Sequence, residues 1–158
     1  MTIDPREFRA ALGCFATGIA VATARPAQGA PVGITINSFA SVSLDPPLVL
    51  WSIARTATRF AAFRDAGHFA VNVLREEQRE LSVRFSGPAD DCWDGIAVER
   101  WTTGAPVIAG SLAVIECATE SVYEGGDHLI LVGRVLRLAS DRGGRPLVYF
   151  AGRYAGLC

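Results

Sequence analysis

The chain has 158 residues, half of them hydrophobic and a fifth charged, with a formal net charge of −1. That composition excludes a disordered segment and suits one domain spanning 1–158 with a real core. The charge balance gives no sign of a basic face for nucleic acid or an anionic membrane, although a net charge leaves room for a local basic patch, and no apolar run reaches the roughly 20 residues of a bilayer span.

The elements follow in chain order. Asp4-Pro5-Arg6-Glu7 reads as a helix start, with Asp4 as cap, Pro5 at the first helical position and Glu7 set to complete a capping box. Phe8, Leu12 and Phe15 share a face of that helix, and Gly18 ends it. Residues 19–24 predict a strand, and PAQGAP a turn. The stretch 33–51, GITINSFASVSLDPPLVLW, predicts a strand broken near Asn37. Asp45-Pro46-Pro47 interrupts it, because proline cannot donate to a ladder, and 48–53 resumes as an apolar strand. Thr56 is placed to cap a short helix with Phe60 and Phe63 facing inward and Gly67 behind it as a stop.

A strand at 69–74 and a charged helix at 76–85 come next, then the loop SGPADDCWDG. A long span at 107–122 is expected to break at Gly110. A turn at Gly125-Gly126-Asp127 leads into a buried strand at 128–138. After the turn SDRGGRP, residues 146–150 form the last short strand. Many strands and few short helices predict a mainly β fold, a closed or partly closed barrel with helices on its flanks.

Cys14, Cys92, Cys117 and Cys158 show no CxxC spacing, so no zinc site or redox dithiol is expected. Reduced thiols in a cytoplasm suit so small a number, and MTIDPREFRA lacks the apolar core of a signal peptide. Several chemistries have nothing to stand on. There is no GxGxxG after a strand, no GxxxxGK[ST] and no GxSxG elbow, and two histidines cannot build a histidine-rich metal site. Asp90, Asp91 and Asp94 lie in a turn-like loop and read as solvated.

What remains is the hydroxyl-rich strand and the histidine of GGDH. Thr35, Asn37, Ser38, Ser41 and Ser43 crowd polar groups into nine residues, among Ile36, Phe39 and Val42. One reading is an edge strand with a polar face. The other is a neutral cradle for a planar polar ring and a phosphate, because the polar groups do not keep a clean period of two. His128 reads either as a strand-start residue satisfied by Asp127 or as a ligand contact.

The residues also resemble a family. GxTxNSFxSVSLxPPL at 33–48 is similar to the signature of the short-chain flavin reductases, the reductase components of two-component flavin monooxygenases. FATG at 15–18, FAVNVL at 69–74, RFSG at 84–87, GAPVI at 104–108, GDHLILVGRV at 126–135 and YFAGRY at 149–154 follow in the family's order. The resemblance implies an FMN-binding split barrel of Greek-key type. It implies that Thr35, Ile36, Asn37, Ser38, Ser41, Val42 and Ser43 wrap FMN or FAD, with Ser52 and Thr58 as further contacts. It places Arg84, Phe85 and Ser86 at the phosphate end, and His128, Asp127 and Tyr154 at the nicotinamide of NADH or NADPH. Cys117 falls on an apolar position.

The implied activity is hydride transfer to flavin, with no acid, base or covalent nucleophile strictly required and no metal. Reduced flavin would serve a separate monooxygenase, and the chain would be a homodimer. The alternative is a flavin-binding electron carrier or store without NAD(P)H oxidation.

Overall fold

The computed structural model describes residues 2–88 and 92–158; Asp90 and Asp91 of the carboxylate loop lie outside the described residues. Helix α1 (Pro5–Gly13) starts as its sequence dictates, with Asp4 Oδ1 accepting from the Arg6 amide at 2.6 Å. It stops at Gly13, short of the expected Gly18, and Thr17–Gly18 forms the two-residue strand β1. No residue of α1 is buried, and Phe8, Leu12 and the following Phe15 stay exposed.

The chain then builds β2 (Ala20–Ala24), β3 (Val32–Ile36), β4 (Ala40–Leu44), β5 (Pro47–Ala54), α2 (Phe60–Asp65) and β6 (His68–Val73). Thr56 does not cap α2. Arg59 occupies the flanking position, without a side-chain cap bond. The expected helix at 76–85 is a 3₁₀ turn (Glu76–Gln78) followed by α3 (Arg79–Ser86). The side chain of Gln78 accepts from the Arg75 amide at 3.0 Å and fixes that turn. Next come β7 (Val98–Arg100), β8 (Pro106–Ile108), β9 (Ala113–Gly125), β10 (His128–Ser140), β11 (Val148–Phe150) and β12 (Arg153–Ala155). The predicted 107–122 span is therefore two strands separated at Gly110.

Seven strands make the main sheet, in the order β3-β2-β6-β9-β10-β5-β4, and every pairing is antiparallel. The two edge strands, β3 and β4, are consecutive in the chain, joined only by residues 37–39. A flat sheet of that width would hold its edges about 29 Å apart, whereas so short a link reaches about 14 Å. The sheet must curl until its edges nearly meet, leaving a seam at the β3–β4 link. This is the physical content of the split barrel. A second sheet, β1-β11-β12, pairs Thr17 and Gly18 with Tyr149 and Val148 and brings both ends of the chain to that seam.

Inside the barrel, Trp51 is fully buried and meets Phe63 and Phe69 edge-on at centroid distances of 5.0 and 5.8 Å. Cys117 belongs to this cluster, and burial, with the Glu116 charge second, pushes its thiol up to about 12. Phe85 and Trp93 pack at 4.8 Å in a second cluster beneath α3. Gly33 is obligatory there, because a Cβ would stand 2.6 Å from the Phe85 ring.

Candidate functional site

Three clefts meet at Asn37, an exposed residue on the seam. One, of about 610 Å³, runs between α1 and the seam and is lined by Leu12, Phe15, Thr17, Asn37, Ser38 and Tyr149. The second, of about 250 Å³, is walled by Phe15, Thr17, Ile36, Asn37 and Phe39. The third, of about 190 Å³, holds Thr35, Ile36, Asn37, Ser82, Ser86 and Tyr154. The largest falls within the roughly 300–1,000 Å³ of small-molecule sites. Thr17 lines two of the clefts, and its buried hydroxyl has no partner among the described residues. Sequence reasoning passed over Thr17 and Tyr149, since the strands that carry them are set by pairing across the chain.

The polar strand divides its work. Thr35 donates to the Ser82 carbonyl at 2.6 Å and ties β3 to α3. Ser38 Oγ accepts from the Ser52 amide at 3.0 Å and lies 3.1 Å from the Ser52 carbonyl, stapling the seam to β5. These two hydroxyls therefore build the site, and Ser52 serves through its backbone. Asn37 faces the clefts. Strand β4 bulges at Val42, where Ser41 pairs with Val49 and Ser43 with Leu48. The bulge breaks the period of two, leaving Ser41 and Val42 exposed and Ser43 half-buried.

Ser86 links this region to a fourth cleft of about 220 Å³, lined by Thr58, Arg59, Phe85, Ser86 and Gly87. Arg59 Nη1 donates to the Gly87 carbonyl at 3.1 Å, which holds the guanidinium at that cleft. Arg84 lies elsewhere. It donates to the Asp94 carbonyl at 2.6 Å and to Glu80 at 3.0 Å, and lines a separate cleft beside Glu77 and Ile96. The cation brought beside Thr58 and Ser86 is thus Arg59, which sequence reasoning missed although it adjoins Thr58. Phe85 is fully buried under the cleft.

His128 opens β10 opposite Ala54 of β5, two residues along from Ser52. The alternation of the strands turns His128, Ile130 and Ser52 to the outer face of the barrel. His128 Nδ1 lies 2.7 Å from Asp127 Oδ1, and this hydrogen bond, then the histidine's charge, holds the Asp127 carboxyl below the usual range. Neither residue lines any of the five clefts described above. Tyr154 does, and its phenol oxygen is 2.9 Å from Ser82 Oγ.

The donor set fits a flavin. Neutral hydroxyls and one amide border the seam, and a guanidinium stands at the far end of the same surface. That order matches a planar polar ring joined to a phosphate.

Several known proteins are similar to this chain. FMN reductase (NADH) SmoA of Agrobacterium fabrum is 49% identical over 151 residues, covering 96% of this chain and 85% of its own. The reductase subunit HsaB of a flavin-dependent monooxygenase from Rhodococcus jostii is 44% identical over 155 residues, covering 98% of this chain and 79% of its own. Among solved structures, Streptomyces globisporus NADH:FAD oxidoreductase SgcE6, in complex with NAD and FAD fragments, superposes with a TM-score of 0.92 at 34% identity, covering 100% of this chain and 97% of that one. The model of the flavin reductase like domain matches residues 12–157, and the chain belongs to that family.

Proposed function

We propose that the protein is an NAD(P)H-dependent flavin reductase that hands reduced flavin to a separate monooxygenase. The observation that carries this reading is the seam itself, where Asn37 shares one cleft with Tyr154 and Ser86, and Ser86 leads on to the cleft of Arg59. Two relatives, SmoA and HsaB, are named as an FMN reductase (NADH) and as a monooxygenase reductase subunit.

A bound flavin would supply the redox chemistry, as acceptor of the hydride that a nicotinamide donates. The chain binds and orients. Asn37 and the backbone of the β4 bulge would donate to the pyrimidine edge of the ring, where negative charge grows on reduction. Thr58, Arg59 and Ser86 would hold the phosphate, and Phe15, Ile36 and Phe39 would wall the ring from water. Tyr154, on the cleft, and His128 with Asp127, on the outer face beyond Ser52, would contact the nicotinamide. No proton must be taken from substrate, so positioning alone is asked of the protein. The single domain works in the cytoplasm.

The test is spectrophotometric. NADH and NADPH oxidation is followed with added FMN, FAD and riboflavin, and turnover with at least one flavin is expected. Tight flavin retention with no oxidation of either nucleotide would make the protein a carrier instead.

The working form is a homodimer. Val42 and Leu44 are 48% and 96% exposed on β4, the edge strand at the seam, and leave apolar surface there for a second copy to cover. Sedimentation should give twice the chain mass. A stable, active monomer at micromolar concentration would reject this.

A further inference from the structure

We propose that Ser82 is a positioning residue, whose hydroxyl aims the Tyr154 phenol at an amide-type carbonyl oxygen of the bound ligand. The proposal rests on the flavin-reductase reading above.

Ser82 lies on α3 and is fully buried, so its hydroxyl needs a partner. That partner is Tyr154, 72 residues further on, at 2.9 Å. The two residues line one cleft together with Thr35, Asn37 and Ser86. The carbonyl of Ser82 also accepts from Thr35 Oγ1 at 2.6 Å and from Ser86 Oγ at 2.7 Å. One buried serine thus touches three residues of the cleft wall.

Tyr154 is braced in other ways. The Arg79 guanidinium stands 4.7 Å over its ring, and the Tyr149 ring meets it edge-on at 5.7 Å. Both contacts hold the plane of the ring and say nothing about its proton. The Ser82 hydroxyl alone among these contacts has a direction. Either oxygen can donate in the pair. When Ser82 donates, the phenol oxygen is the acceptor and its own O–H points into the cleft. A phenol donor fixed in that way suits a carbonyl oxygen of the amide type. The flavin pyrimidine and the nicotinamide carboxamide both present one.

The test compares the parent with Ser82→Ala, Tyr154→Phe and the double variant. Flavin affinity is read by fluorescence quenching, NADH kinetics by absorbance, and folding by thermal denaturation. Each single change should weaken one constant by roughly three- to tenfold, the effect of losing one neutral hydrogen bond. The double variant should lose no more than either single, because both remove the same bond. Ser82→Cys, which keeps the size and a weak donor, should recover part of the loss. A shift in the flavin dissociation constant assigns the carbonyl to the isoalloxazine. A shift in the NADH Michaelis constant assigns it to the carboxamide.

A well-folded Ser82→Ala with both constants at parental values would overturn the proposal. So would losses that multiply in the double variant, or a fall in melting temperature alone. If the parent binds flavin but oxidises neither nucleotide, the reductase reading fails, and the flavin titrations still decide the role of Ser82. A parent that binds no flavin overturns both.

Discussion

Replacing Arg59 with alanine is expected to weaken FMN binding roughly ten- to a hundredfold while leaving riboflavin binding nearly unchanged. A charge-assisted hydrogen bond is worth about 1.5–3 kcal/mol, and Arg59 lines the cleft that also holds Thr58 and Ser86. Riboflavin carries the same ring and ribityl chain without the phosphate, so it reports the ring site alone. The comparison matters because Arg59 also donates to the Gly87 carbonyl at 3.1 Å. Losing that tie loosens the end of α3 and lowers the melting temperature, which both ligands would feel alike. Equal losses for FMN and riboflavin would therefore remove Arg59 from the phosphate. Arg84→Ala is the matched control. Its guanidinium is held by Asp94 and Glu80 on another cleft, so FMN affinity should change little.

Gly133→Val should lower stability by about 2–3 kcal/mol and leave no well-packed alternative. A Cβ at that position would stand 2.4 Å from Phe69 Cζ and 2.7 Å from Cys117 Cβ. Both neighbours are fully buried, and Phe69 is braced edge-on by Trp51 at 5.8 Å. Overpacking of this kind typically costs about 1–3 kcal/mol. For a chain this size, about 2–4 °C is lost per kcal/mol, so the melting temperature should fall by roughly 4–12 °C. Gly18→Ala is the comparison, since nothing lies within 4 Å of a Cβ there. A Gly133→Val protein that melts with the parent would show that the barrel interior yields more than its packing suggests.

The alternation and punctuation of the chain carried most of the barrel. The break at Asn37 was visible because polar groups disturbed the period of two, and the structure puts the seam there. The short strands were not visible. β1 and β12 have two and three residues, too few for any periodicity, and exist because β11 pairs with both. The end of α1 was placed too late for the same reason: Thr17 and Gly18 answer to Tyr149 and Val148, not to their neighbours.

In the site, residue type was legible and direction was not. Ser38 is expected from the resemblance to contact flavin, and the group its hydroxyl bonds is the Ser52 backbone. Arg84 and Arg59 are chemically alike. Only the fold shows that the first turns to Asp94 and the second to the cleft with Thr58. His128 was legible only as a pattern, and the side chain beside it is Asp127's.

The pairing of β1 with β11 also bears on how the protein is made. A ribosome delivers the chain from residue 1 onward, and the early segments can fold before the late ones exist. Asn37, Ser38 and Thr17 emerge early, yet Thr17 has no strand partner until residue 149 has been synthesised. Tyr154, which closes the cleft over Thr35, arrives later still. The growing chain therefore carries these clefts without the Tyr149 and Tyr154 walls until the strands β11 and β12 are made. A product truncated before residue 148 would lack both tyrosines and the strand that pairs with Thr17, so a ligand acting on it would meet the clefts with that wall missing.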